Sequence, residues 1–218
     1  MTKRTKLDTT AWVAENLRSE ERVLGVTVLT DQIIRVSRIK HGPYVAGIIS
    51  EKRVEVNCIK QLVESDLCVE IIANVPKESF WTGDAIRFAQ SKNVSTGSLG
   101  DLYRVISEQD VRGFRSRETE FIERSMRQHD RIARFEQIHD RLYRVERSDG
   151  LSDVTVLMLN EYDLTADHVR TARDRYGAFS LLVMTNPNGR ATESAEQVAA
   201  SMGVDILMWK SFLGRLKR

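Results

Sequence analysis

The feature that most constrains this chain is a series of short apolar segments that alternate with helical patterns, and the series occurs twice. In the first copy, apolar segments at 44–49 and 68–73 lie on either side of a helical pattern at 54–64. In the second copy, segments at 154–159 and 179–184 surround a helical pattern at 165–176. Buried parallel strands have this continuous apolar character, and helices cover both faces of such sheets. The alternation predicts an α/β fold of two similar three-layer half-units with mixed or mainly parallel sheets.

The two halves also resemble each other residue by residue. Segment 71–94 aligns with segment 182–204, with one residue of slippage in the turn after a shared proline. The matched pairs are Pro76 and Pro187, Thr82 and Thr192, Ala85 and Ala195, Ala89 and Ala199, and Val94 and Val204. This agreement favours an internal duplication. The alternative is a shared architecture without common ancestry.

Segment 110–147 differs from both halves in composition. It contains ten arginines, no lysine and eight acidic residues. Its apolar residues recur at spacings near three and four: Phe121, Ile122, Met126, Ile132, Phe135, Ile138, Leu142 and Val145. This spacing predicts a long, charged amphipathic helix that joins the half-units. The predicted organisation is therefore a first half at 1–109, a connecting helix at 110–147 and a second half at 148–218, with a strand at 142–147 assigned to the second half.

The predicted helix has three candidate roles. It lies on its own sheet with solvated charges, it binds a protein partner or a second copy of the chain, or its arginines contact nucleic-acid phosphates. Arginine forms bidentate contacts that lysine does not. The candidate contact residues are Arg124, Arg127, Arg131 and Arg134.

Polar side chains follow the predicted strands of the second half. In parallel sheets, ligands bind outside the carboxyl ends of the strands. The candidate ligand-binding residues there are Asn160, Glu161, Asp163, Asn186 and Asn188. Their carboxylates and amides suit a polar ligand or a metal ion. Asn, Asp and Gly also occur in turns for backbone reasons alone, so a purely structural role is the competing interpretation.

Composition limits the classes of protein that fit. The chain has 218 residues with 41% hydrophobic and 29% charged side chains, and its formal net charge is +2, which is too small to indicate nucleic-acid binding by itself. No apolar run approaches the roughly 20 residues that span a bilayer, so no membrane association is expected. Cys58 and Cys68 have apolar sequence neighbours and no cysteine or histidine beside them, which is typical of a reducing compartment. A cytoplasmic protein is expected.

The end of the second half resembles the corresponding part of Mrr-like restriction endonucleases. The resemblance covers about sixty residues of the second half, and more loosely the same stretch of the first. The residues that carry it are Thr192, Ala195, Ala199, Gly203, Val204, Phe212, Leu213 and Leu216. The family's active site uses an acid followed by Glu/Gln-x-Lys on consecutive strands, to hold a divalent metal. At that position this chain has Met158-Leu159-Asn160 and Gly47-Ile48-Ile49, with no lysine in register. The resemblance therefore implies two non-catalytic copies.

The sequence thus favours a non-catalytic α/β binding or assembly scaffold, related to restriction endonucleases and associated with nucleic acid or a protein partner. No cofactor is predicted. One alternative is a metal-dependent nuclease with a displaced acidic site, in which Asp153, Glu161 and Asp163 would hold Mg²⁺ or Mn²⁺. A further alternative is a nucleotide or small-ligand sensor that binds at the strand carboxyl ends.

Overall fold

Two five-stranded mixed sheets, each flanked by helices, form the framework of the protein in a computed structural model that describes residues 6–148 and 150–217. The chain divides between residues 116 and 117 into two compact units, within each of which most residue contacts are internal. The predicted α/β class with two similar half-units is confirmed.

The first unit has the element order α-β-β-β, followed by alternating helices and strands. Its elements are α1 (Lys6–Arg18), β1 (Val23–Val28), β2 (Ile33–Arg38), β3 (Tyr44–Ile49), β4 (Arg53–Val54), α2 (Val56–Val63), β5 (Ile71–Asn74), β6 (Phe80–Trp81), α3 (Gly83–Ser91), β7 (Ser95–Ser98) and α4 (Leu99–Arg104), which continues into a 3-10 turn at Val105–Ser107. The main sheet has the order β1-β2-β3-β5-β7. Its first three strands are antiparallel, and β3, β5 and β7 are parallel.

Two apolar cores lie on opposite faces of this sheet. On one face, Leu17 of α1 and Leu102 of α4 belong to the core that contains Ile71. On the other face, Ile59 of α2 and Ile86 of α3 belong to the core that contains Ile72. Successive strand residues point to opposite faces, so the fully buried strands β3 and β5 supply both cores. The predicted three-layer arrangement follows from this burial.

The second unit repeats the same order of elements. They are α5 (Arg117–Arg127), β8 (Ile132–Gln137), β9 (Leu142–Arg147), β10 (Val154–Leu159), β11 (Asp163–Leu164), α6 (Ala166–Tyr176), β12 (Leu181–Met184), β13 (Arg190–Ala191), α7 (Glu193–Ser201), β14 (Asp205–Met208) and α8 (Trp209–Arg215). The sheet order is β8-β9-β10-β12-β14, with β8, β9 and β10 antiparallel and β10, β12 and β14 parallel. Helices α5 and α8 share a core around Met126 and Phe212.

The strand registers define which residues are equivalent in the two units. Ala46 lies opposite Ile71, and Val156 lies opposite Leu181, so equivalent residues differ by 110 (156 − 46 = 110 and 181 − 71 = 110). The helix caps keep this offset, because Thr82 accepts a hydrogen bond from the Ala85 amide and Thr192 accepts one from the Ala195 amide. Before β3 and β10 the offset is 109, since β2 starts at Ile33 and β9 at Leu142.

This register corrects one detail of the predicted repeat. With an offset of 110 already present in β5 and β12, Pro76 is equivalent to Asn186 and not to Pro187. The match of the prolines was therefore wrong by one residue, whereas the threonine, alanine and valine pairs that follow occupy equivalent positions. Each proline lies in a turn after a buried strand. Proline is favoured in turns for local backbone reasons, so its presence in both turns does not require equivalent positions.

The predicted connecting helix at 110–147 is wrong. Only Arg117–Arg127 is helical, and the rest of the segment forms the antiparallel hairpin β8–β9. A bulge between Ile132 and Arg134 brings Ile132 and Phe135 to the same core, so a spacing of three residues arises within a strand. Residues 110–116 belong instead to the first unit, where Val111 is buried.

Candidate functional site

A cluster of charged and polar side chains surrounds Arg141 at the carboxyl ends of the parallel strands in the second unit. Thr185 follows β12 and Glu161 follows β10, so both lie at the sheet edge where α/β folds commonly bind ligands. Arg141 comes directly before β9, whose antiparallel direction brings its start to the same edge. Glu118 comes from the first turn of α5. We call Glu118, Arg141, Glu161 and Thr185 the Arg141 cluster.

Direct contacts hold three members of the cluster together. Thr185 Oγ1 donates a hydrogen bond of 2.5 Å to Glu118 Oε1. Arg141 Nη1 lies 3.6 Å from the same carboxylate oxygen, and the Arg141 side chain is 39% exposed. The backbone of Arg141 is fixed as well, because its carbonyl accepts a hydrogen bond of 2.8 Å from the Met158 amide in β10. The guanidinium is thus positioned by the sheet and remains accessible to water.

Negative charges around the Arg141 guanidinium determine the direction in which its pKa is shifted. Burial lowers the pKa of Arg141, but the carboxylates of Glu118, Asp140 and Glu161 outweigh burial and raise that pKa overall. Tyr176 lies in the same neighbourhood, where burial and then Asp140 raise the pKa of its hydroxyl above the ordinary value. Arg141 therefore stays charged, and the tyrosine stays protonated, throughout the physiological pH range.

The positive charge that balances these carboxylates comes from Arg141 of the same chain. A divalent-metal site needs several carboxylate or histidine ligands that converge on one point. Within residues 6–148 and 150–217, no group of three or more His, Cys, Asp and Glu side chains is arranged to hold a metal ion. Chemically, the cluster can bind a polar group through the exposed part of Arg141 and the Glu118 carboxylate.

At three of the four equivalent positions the first unit has a neutral residue, while the fourth, Glu51, is acidic like Glu161. Thr9 takes the place of Glu118, Gln32 that of Arg141 and Val75 that of Thr185. Near this edge, Asn74 donates from Nδ2 to the Glu51 carbonyl, and its Oδ1 accepts from the Glu51 amide. The side chain of Asn74 thereby connects the end of β5 to the loop that follows β3. The charged cluster is accordingly a property of the second unit.

The structure places the five sequence-predicted ligand residues in separate settings. Glu161 belongs to the Arg141 cluster. Asp163 accepts a hydrogen bond of 2.7 Å from Arg190 and so links β11 to β13. Asn186 Oδ1 accepts a hydrogen bond of 3.0 Å from the Asn188 amide, which is the contact of an Asx turn. Asn160 is exposed. The contact between Asn186 and Asn188 is the one that a turn alone requires, whereas that of Asp163 is an ion pair between two strands.

The four predicted arginines do not share one helix face. Arg124 is exposed on α5, and Arg127 on the same helix donates a hydrogen bond of 2.5 Å to Glu123. Arg131 lies in the turn before β8. Arg134 is exposed on β8, opposite Glu146. The segment folds into a helix and a hairpin, so these side chains are distributed over three elements.

Sequence reasoning missed Glu118 and Arg141, because both were assigned to the charged helix. A comparison of the two units supplies the missing signal. Once β8 and β9 are aligned with β1 and β2, Glu118 and Arg141 are charged where Thr9 and Gln32 are neutral. Thr185 was placed at a strand end but was not selected.

The chain has no match among known proteins in three comparisons. No family model matches it, and neither a curated protein nor a solved structure shows significant similarity to it. The described helices are all too short or too polar to cross a membrane.

Proposed function

We propose that this protein is a non-catalytic binding or assembly module made of two α/β units. The observation that supports this most directly is the position of Arg141 among Glu118, Asp140 and Glu161. A guanidinium at this point neutralises the carboxylates that a metal-dependent hydrolase would use to hold its cation. The resemblance to Mrr-like endonucleases supports the same proposal, because neither copy has the Glu/Gln-x-Lys pattern of that family.

The module's partner is proposed to be a protein rather than bulk nucleic acid. The formal net charge of +2 gives little sequence-independent attraction to phosphate backbones. The arginines of segment 110–147 are also interspersed with acids, as in the contacts of Arg127 with Glu123 and of Arg141 with Glu118. We place the protein in the cytoplasm, which the two free cysteines support.

A cleavage assay tests the non-catalytic proposal. The full chain is incubated with single-stranded and double-stranded DNA in the presence of Mg²⁺ or Mn²⁺, beside the Glu118→Gln and Glu161→Ala variants. The expected result is no cleavage above background for any of them. Metal-dependent cleavage that disappears in Glu161→Ala, but persists in the exposed-site control Glu196→Ala, would overturn the proposal.

A metal-dependent nuclease is the second candidate, and one observation favours it. Glu118, Asp140 and Glu161 all act electrostatically on one point at the strand carboxyl ends. These acids replace the Asp153 and Asp163 expected from sequence, since Asp163 pairs with Arg190. In this candidate, the guanidinium of Arg141 has to leave before Mg²⁺ or Mn²⁺ binds. Thermal stabilisation of the unmodified chain by Mn²⁺ distinguishes this candidate from the module.

A further inference from the structure

A groove lies at the opposite, amino-terminal end of the second sheet. It has a volume of about 200 Å³. Its apolar lining comes from Val154, Leu181 and Leu216. Charged lining residues of both signs, Arg147, Asp205 and Arg215, accompany this apolar part. Arg215 Nη2 and Asp205 Oδ2 are 3.9 Å apart, so they form only a loose, exposed ion pair.

In the first unit, a piece of the chain itself fills the equivalent position. After α4 and its 3-10 turn, the backbone passes across the amino ends of β5 and β7. Val111 is 2% exposed and belongs to the core. Ser95 Oγ lies 2.7 Å from both the Val111 and the Arg112 carbonyl oxygens, either of which can accept its one proton. The segment is thus bound through one apolar side chain and its backbone.

Arg112 adds a second set of contacts to the same segment. Its guanidinium donates to the carbonyls of Cys68, Val69 and Asn93, at distances of 3.1 to 3.4 Å. Its Nε also lies 3.8 Å from the Glu70 carboxylate. Together these contacts form a built site for an apolar residue followed by an arginine.

The offsets of 109 before β3 and 110 from β3 onward show that the groove and the filled site are the same place in the fold. Ser180, Gly203 and Asp205 of the groove are equivalent to Glu70, Asn93 and Ser95, which all contact the segment in the first unit. One framework contact is also the same in both units. Arg38 Nε donates to the Gly42 carbonyl at 2.8 Å, and its counterpart Arg147 donates to the Ser152 carbonyl at 2.6 Å.

Three residues of the groove differ in kind from their counterparts in the first unit. Val154 stands where the first unit has Tyr44, which leaves more room for an apolar side chain. Asp205 replaces Ser95 and supplies a carboxylate for a cation, in place of Glu70 in the first unit. Arg215 replaces Val105 and adds a donor for backbone carbonyls.

We propose that this groove binds an extended peptide segment of a partner protein, with an apolar residue followed by an arginine, in the way that Val111–Arg112 occupies the first unit. The apolar side chain would lie on Val154, Leu181 and Leu216. The arginine would pair with Asp205 and donate to the Gly203 carbonyl, while Arg215 donates to the peptide backbone. The proposal rests on the proposed binding role of the protein and identifies the chemistry of its partner.

A synthetic peptide that reproduces residues 107–116 is the probe. Fluorescence anisotropy measures its binding to the full chain, and a second peptide carries Arg112→Glu. The variants Asp205→Asn and Asp205→Lys change the groove at a side chain that is 64% exposed, so folding is preserved. Asp174→Asn, at an exposed position of α6, is the matched control. Amide shifts in NMR spectra locate the bound peptide.

The expected result is saturable binding that weakens by up to about five-fold with Asp205→Asn, as loss of one partly exposed ion pair implies. The charge reversals, Asp205→Lys and the Arg112→Glu peptide, add repulsion and should weaken binding further. Asp174→Asn leaves the affinity unchanged, and the shifted amides include Ser180, Gly203 and Asp205. Absence of saturable binding overturns the proposal. An affinity that neither charge reversal changes, or amide shifts confined to residues outside the groove, would overturn it as well. The readout is separate from DNA cleavage, so this proposal and the non-catalytic one fail independently.

Discussion

The hydroxyl of Thr185 and the carboxylate of Glu118 are joined by a hydrogen bond of 2.5 Å, which connects the end of β12 to the first turn of α5. The acceptor is charged, and a hydrogen bond to a charged group is stronger than one between neutral groups. In the first unit Val75 and Thr9 occupy the two positions, so this connection exists only in the second unit.

Replacement of Thr185 by valine, the residue type found in the first unit, removes this bond at nearly constant volume. We expect Thr185→Val to lower the free energy of unfolding of the second unit by about 1–2 kcal/mol, because the half-buried Glu118 carboxylate loses a donor. Urea denaturation followed by circular dichroism measures the change. Thr171→Val, at an exposed position of α6, is the control. Equal stability of the two variants would contradict the importance of the bond.

Removal of the Arg141 guanidinium tests whether it takes the place of a metal ion. Arg141→Met leaves Glu118, Asp140 and Glu161 without their shared cation, so we expect a loss of about 1–2 kcal/mol in the stability of the second unit, a value reduced by solvent screening. We also expect the variant to gain stabilisation by Mn²⁺ in thermal denaturation. Arg190→Met, which breaks only the exposed pair with Asp163, should show no such gain. An equal Mn²⁺ response of the unmodified chain and Arg141→Met argues against the substitution of guanidinium for metal.

The absence of a side chain at Gly189 lets the loop after β12 lie close to the Glu161 backbone and to Met184 at the end of β12. A Cβ atom at Gly189 would lie 2.5 Å from the Glu161 carbonyl oxygen and 2.8 Å from Met184 Cε. Gly189→Ala should therefore destabilise the second unit by about 1–3 kcal/mol, because backbone has to move. Gly214→Ala is the matched control: it lies in α8 with nothing within 4 Å of the added atom, and alanine there should be neutral or stabilising. A neutral Gly189→Ala would show that the loop relaxes freely.

The raised pKa of Tyr176 predicts a loss of stability in alkali. Burial, and then the carboxylate of Asp140, raise the pKa of the folded state above the ordinary value of 10.0. The folded state therefore holds this proton more tightly than the unfolded chain. The contribution to stability is complete below pH 10 and decreases as the pH rises toward the folded-state pKa, by up to about 1.4 kcal/mol per pH unit.

Urea denaturation at pH 9 and pH 11 measures this effect. Tyr176→Phe should lose less stability between the two pH values than the unmodified chain, because it has no hydroxyl to ionise. Tyr162→Phe is the control, since the Tyr162 side chain is 61% exposed. If Tyr176→Phe has the same pH dependence as the unmodified chain, the hydroxyl is not held protonated by the fold.

The fold was predictable where burial is complete. Strand β3 is buried at all six positions and β12 at all four, and such runs were identified from sequence. Of the hairpin β8–β9, the strand at 142–147 was identified but β8 was not, because its bulge gives Ile132 and Phe135 a helical spacing. The equivalent strand β1 has a similar irregularity, between Val23 and Gly25. Alignment of the two units over their full lengths, rather than over 71–94 and 182–204 alone, corrects the error.

The site was predictable only in part, for a related reason. Local sequence shows that Glu161 follows a strand, but it does not show that Glu118 lies near Thr185, 67 residues further along the chain. That proximity arises because α5 packs against the sheet of the second unit. The prediction of one long helix over 110–147 did not include this packing. The asparagines Asn186 and Asn188 were selected from the local sequence, and their contact is that of a turn. Short sequence patterns predict turns more readily than they predict ligand-binding sites.

The contacts of Arg112 and Ser95 have a mechanical consequence for the chain. A pull applied to the chain at residue 116 is transmitted along residues 111–116 to the amino ends of β5 and β7 in the first unit. There it is resisted by the carbonyl contacts of Arg112 and the hydroxyl contact of Ser95, together with the buried Val111. Detachment of this segment under load would uncover, in the first unit, the counterpart of the groove in the second.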